Sequence, residues 1–304
     1  MNRKATFGLI LIIFFAYLSY GQTERDIIIN DSIYPIIHES ENYQNVKNKI
    51  FELEKIYGYE AELKYSLINY SYQYNDIEFF KTELTKLVKN YGFQLIYLNG
   101  RESYYKSITK GELAEWFKEM YLKNHFFWLK NNFDKQIDLK KLNDIKEKDQ
   151  LINKYTRQIW NELELDSTQK AKQNNLISDF YFTNIAELYE ITKKNSNYPN
   201  SKNFALVQNN LYVAEIHNLQ AKSNFKRYWT LFYSYFKKAY LNNEITYAIF
   251  KSYDQMSFVH FGNQRFGLLE INKIPEIYKK ENLTEVPIVD LEFYWKIKNE
   301  FNWK

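Results

Sequence analysis

The chain is poor in turn-forming residues: eight glycines and four prolines serve all 304 positions. A sandwich or barrel of many short strands needs a tight turn every few residues, so this scarcity favours helices. Apolar periodicity points the same way. Val46, Ile50, Leu53 and Tyr57 recur at helical spacing, as do Leu63, Leu67, Tyr70 and Tyr74, and then Phe80, Leu84, Leu87 and Tyr91. Asn75-Asp76 marks a turn between the second and third of these stripes. Aromatic residues make up 19% of the chain, mostly Tyr and Phe, so large rings with polar tips must build the core and its rim.

The first residues carry an address. Arg3 and Lys4 precede an uninterrupted apolar run from Phe7 to Leu18, and Ser19 and Gly21 supply the small side chains that a signal peptidase needs. Cleavage before Gln22 is the expected outcome, with an uncleaved anchor as the alternative. The run falls short of the about 20 apolar residues that span a bilayer. No Cys is present, so stability must come from the core rather than from disulfides, and no acylated Cys can anchor a lipoprotein. The expectation is a free periplasmic or secreted protein with no membrane span after cleavage. The formal charge of +4 falls to +2 once Arg3 and Lys4 leave, because residues 1–21 hold no acid. That balance argues against a nucleic-acid binder, which concentrates basic charge on one face.

The remaining 283 residues suffice for two ordinary domains. Residues 132–148, rich in Lys and Asp, mark the expected boundary, giving a helical repeat-like domain over 22–138 and a second helical domain over 139–304. Within the first, Lys55-Ile56-Tyr57-Gly58-Tyr59 recurs as Lys89-Asn90-Tyr91-Gly92-Phe93, 34 residues later. That is the period of a tetratricopeptide repeat, and residues 43–93 resemble one at Leu67, Leu84 and Leu87. Ile68 and Phe80 depart from it, standing where small residues let paired helices approach. An ordinary helical hairpin fits as well, and both readings place the helices antiparallel. Thr109-x-x-Glu112 reads as a capping box that opens the next helix. The aromatic cluster His125-Phe126-Phe127-Trp128 reads as a buried stretch of it.

In the second domain, helices are expected around Ile145 to Trp160, Gln169 to Lys194, Phe204 to Ala221, Phe225 to Leu241 and Glu244 to Tyr253. The period then changes. Gly262-Asn263 between Met256–Phe261 and Gln264–Ile271 reads as a short C-terminal β-hairpin with Val259, Phe261 and Phe266 on one face. The fold class expected is therefore mainly α: antiparallel helical hairpins, then a helical domain with a β-hairpin near 256–271. The tail from Val286 to Trp303 should pack back as a last helix.

No phosphate loop, zinc helix or nucleophile elbow is present, and the absence of Cys removes thiol chemistry. The four histidines, His38, His125, His217 and His260, are scattered, so neither a metal nor a cofactor is expected. Several short motifs nevertheless stand in a distinctive order. They are Asp149-Gln150, then Asn184 with Leu188 and Ile191, the Tyr198-Pro199 turn, His217 on a helix, Asp254-Gln255, and Gln264-Arg265-Phe266-Gly267. Over roughly residues 144–267 this order resembles a family of uncharacterised bacterial domains of unknown function. The resemblance implies no activity, and the chain departs from the family at Gln255, Phe266 and Leu268, where Arg, Tyr and Thr are usual.

Two readings of these polar residues stay open. Asp149, Gln150, Asn184 and His217 satisfy one another as a buried network, or they form a pocket in which His217 acts as a base oriented by Asp149 or Asp254. Gln150, Asn184 and Gln264 are the candidate binding residues. The first reading makes the protein an exported scaffold that presents a groove to a peptide or protein. The second makes it a hydrolase.

Overall fold

A computed structural model of the chain describes residues 23–204, 211–279 and 283–303. The expected leader, residues 1–21, lies outside the described residues. The molecule is mainly helical, with twelve α-helices and no sheet among the described residues. The described residues form two compact units: Ile28–Ile245, and the described parts of Met1–Ile27 and Thr246–Lys304. No helix among the described residues is long and apolar enough to cross a membrane.

Following the short α1 (Glu24–Ile27), the larger unit opens with three helices in quick succession, α2 (Tyr43–Tyr57), α3 (Ala61–Gln73) and α4 (Ile77–Tyr91). Asn75 turns the chain between α3 and α4 in the left-handed conformation that Asn tolerates better than most residues. The recurrent Tyr-Gly segments meet in space, Tyr59 stacking on Tyr91 at 4.5 Å. A buried ion cluster braces these helices: the Lys64 ammonium lies 3.1 Å from Glu54 and 3.5 Å from Glu83. Tyr59 donates its hydroxyl to Glu83 at 2.8 Å.

The expected capping box is absent. Thr109 closes the short helix α5 (Tyr105–Lys110), returning its hydroxyl to the Tyr105 carbonyl, and α6 (Ala114–Asn131) starts after the Gly111 turn. Glu112 instead accepts hydroxyls from Ser107 and Tyr72. In the aromatic cluster of α6, Trp128 is buried, whereas Phe126 and Phe127 face solvent.

Two long helices follow, α7 (Gln136–Glu162) and α8 (Ser167–Asn195). The stretch expected to separate two domains is thus helical from Gln136 onward. A true capping box opens α8, with Asp166 and Gln169 each accepting the other's backbone N–H. The near ends of the pair are well packed; from Gln150 to Ile177 no residue is buried. α9 (Tyr212–Gln220) and α10 (Lys222–Leu241) complete the unit, α10 burying Phe225, Tyr228, Phe232 and Phe236 along one face.

The smaller unit is built on α11 (Ala248–Phe261) and α12 (Leu291–Glu300). The expected β-hairpin is not formed. Residues 256–261 continue α11, and Gly262, at φ +75°, is the left-handed residue that ends it. A Gly-Asn pair stops a helix as readily as it turns a hairpin, and burial decides here: Phe266 is buried while Val259 and Phe261 face solvent. The one β-type pairing among the described residues is an isolated bridge between Gln264 and Ile288. The tail does pack back as α12, and Phe301 and Trp303 close over Phe250 and Phe266.

Candidate functional site

Helix α7 has two working faces. Leu139, Leu142, Ile145 and Asp149 turn inward and are buried. On the other side Asn143, Lys146, Glu147 and Gln150, at helical spacing, line a cavity of about 590 Å³. Helix α3 supplies a second wall through Tyr65, Ser66, Asn69 and Tyr70, and the loop before α5 a third through Tyr97, Asn99, Glu102 and Tyr104. The volume lies within the ~300–1,000 Å³ typical of ligand sites.

The third wall is shaped by its own polar groups. Glu102 accepts the backbone N–H groups of Asn99 and Gly100 at 3.2 and 3.1 Å. Asn99 accepts that of Arg101, and Asn69 accepts both the N–H and the hydroxyl of Ser103. These bonds use the amide oxygens and leave the amide nitrogens of Asn69 and Asn99 without partners among the described residues. Asn143 and Glu147 likewise make no side-chain hydrogen bond there. Burial pushes the Tyr97 phenol up to about 12, so it stays a neutral hydroxyl. At another point of the lining, His38 Nδ1 stands 3.2 Å from the Tyr70 hydroxyl.

Behind this wall the structure brings together three of the candidate residues. Asp149 is wholly buried, and both its oxygens face His217 Nδ1, at 3.0 and 2.9 Å. Gln150 donates its side-chain amide to the same carboxylate at 3.2 Å. Tyr181 stacks on the imidazole at 4.6 Å, its phenol pushed up to about 12, first by burial and then by the Asp149 charge. Asn184 does not join this set: its amide nitrogen caps the Ile145 carbonyl of α7 at 2.8 Å. The arrangement fixes the orientation of the ring, with Nδ1 on the carboxylate and Nε2 without a partner among the described residues. Among the described residues no hydroxyl nucleophile bonds to the ring. Among the described residues no three of His, Asp and Glu stand where they could hold a metal ion.

Asp254 and Gln264 belong to the smaller unit and act on one loop. Asp254 is fully buried and accepts the N–H groups of Arg265, Phe266 and Leu268 at 2.8, 3.0 and 3.0 Å. Burial pushes its carboxyl up to about 6, against the pull of those donors. Gln264 accepts the N–H of Leu269 at 2.8 Å and donates to the Val286 carbonyl at 3.0 Å. Gly267 fits the loop because a Cβ there would strike the Tyr294 ring at 2.4 Å and its φ is +72°.

The cavity on α7 was not anticipated from the sequence, apart from Gln150. Its signal was the polar stripe Asn143, Lys146, Glu147 and Gln150, which reads equally as a solvated helix face. No protein-family model, curated protein or solved structure matches the chain. The resemblance to uncharacterised bacterial domains therefore rests on the motifs themselves.

Proposed function

We propose that this protein is an exported helical scaffold whose cavity between α3, α7 and the loop before α5 takes an extended peptide. The observation that carries the reading is the set of amide nitrogens at Asn69, Asn99 and Asn143, without partners among the described residues, within one cavity. The Asn69 and Asn99 amide nitrogens are donors that match peptide carbonyls, Asn143 offers a donor and an acceptor, and the Tyr65 and Tyr70 rings offer surface to peptide side chains. Export is supported by the basic start, the apolar run and the small residues before Gln22.

The hydrolase alternative keeps one observation in its favour, the Asp149–His217 contact. The burial of Asp149, whose carboxylate is taken up by His217 and Gln150, favours a structural pair. Selection of peptides from a random displayed library, followed by titration calorimetry, tests the binding reading. The Asn143→Ala/Glu147→Ala protein should bind selected peptides at least tenfold more weakly at an unchanged melting temperature. Equal binding by parent and variant would contradict it.

A further inference from the structure

The smaller unit contains a cavity of its own, of about 360 Å³, between one face of α11 and the segment 268–278. Its body is apolar: Met256, Phe258 and Val259 come from the helix, and Leu268, Leu269 and Ile274 from the segment. Asp254 and Gln264 hold this wall in place, since they take the backbone N–H groups of Leu268 and Leu269. Two otherwise costly buried polar side chains thus fix the position of two leucines that face a cavity.

The charged groups in the lining are unequal. Glu270 and Lys273 neutralise each other at 2.6 Å. Lys251 has no carboxylate partner among the described residues; its ammonium rests 3.4 Å from the Tyr247 hydroxyl and 5.6 Å from that ring's centroid. One uncompensated cation beside an apolar cavity matches an amphiphile with a single anionic head. At ~30 Å³ per water-sized group the volume has room for about a dozen heavy atoms. Small-molecule sites share this pattern of an apolar lining with a few placed polar groups. We infer that the cavity between α11 and residues 268–278 binds a medium-chain carboxylate, with its chain against Met256, Val259 and Leu269 and its head at Lys251.

Titration calorimetry of the full chain with sodium decanoate and with decan-1-ol, at a pH where the acid is ionised, tests this. Decanoate should bind saturably at one equivalent and more tightly than the alcohol. Lys251→Met should weaken decanoate at least tenfold and leave decan-1-ol within threefold, whereas Val259→Asp should abolish both. Val259 is 42% exposed, so the fold should tolerate the change; should that variant melt early, Tyr278→Ala, at a lining residue 47% exposed, replaces it and should weaken both ligands. The inference is overturned by an absence of saturable decanoate binding, by equal affinity for acid and alcohol, or by cavity variants that bind as the parent does.

Discussion

Leu67 and Ile68 are neighbours on α3 and belong to different cores. Leu67 packs with Ile50, Leu53 and Leu63, and Ile68 with Phe80, Leu84 and Leu87. Leu67 and Leu84, which the antiparallel hairpin reading would set opposite each other, therefore stabilise separate clusters. Each is fully buried, so Leu67→Ala and Leu84→Ala should each cost about 2–5 kcal/mol. Denaturant melts of the double variant should give the sum of the two losses within about 0.5 kcal/mol. A coupling well above that would return the two leucines to one core.

Lys64 is buried between Glu54 and Glu83. Glu83→Ala leaves Lys64 paired with Glu54 at 3.1 Å and should cost less than removal of the cation. Lys64→Met leaves the Glu54 and Glu83 carboxylates without their shared cation and should cost about 3–5 kcal/mol. Chemical denaturation of both variants checks the order, and the reverse order would contradict the buried-pair account.

Glu215 is fully buried and accepts the Tyr198 hydroxyl, and burial pushes its carboxyl from 4.5 to about 7. A folded pKa above the unfolded one means the folded state holds the proton more tightly. Its contribution is complete below about 4.5 and is lost as pH rises through about 7. The shift corresponds to about 3 kcal/mol. Melting temperatures of the parent should fall across that window, and Glu215→Gln, which keeps an acceptor for Tyr198, should flatten the profile. An identical pH profile in the two proteins would exclude Glu215 as the cause.

The distal part of the α7–α8 pair has no buried residue between Gln150 and Ile177. Sparse packing lowers the free energy of local opening. Amide exchange followed by mass spectrometry should show residues 151–177 exchanging ahead of α4 and α10. Equal protection would mean that something covers this part of the pair in solution.

Helix identity was legible because it rests on repeated local pattern: the stripes of α2, α3 and α4 stand where spacing placed them. The motif residues Asp149 and His217 were legible for another reason, since polar residues set on an apolar stripe need a partner. What failed depended on single turns. Thr109 and Glu112 have the spacing of a capping box, yet Gly111 between them breaks the chain into two helices. Gly262-Asn263 carries no information about whether the residues before it are helical or extended. The cavity on α7 showed in the sequence only as one ambiguous polar stripe, because Asn69, Asn99 and Asn143 come from three separate segments and meet only after folding.

His217 separates the two functional readings. As a structural partner it satisfies the buried Asp149, so His217→Ala should cost about 1–3 kcal/mol by leaving that carboxylate short of a donor. Thermal melts decide this before any ligand is known, and a variant that melts at or above the parent temperature would favour the hydrolase.

The most direct test of the scaffold account is a crystal structure of the protein with its tightest selected peptide. The account predicts an extended backbone in the cavity of about 590 Å³, hydrogen-bonded to the side chains of Asn69, Asn99 and Asn143. A peptide seated elsewhere, with those three amides untouched, would contradict it.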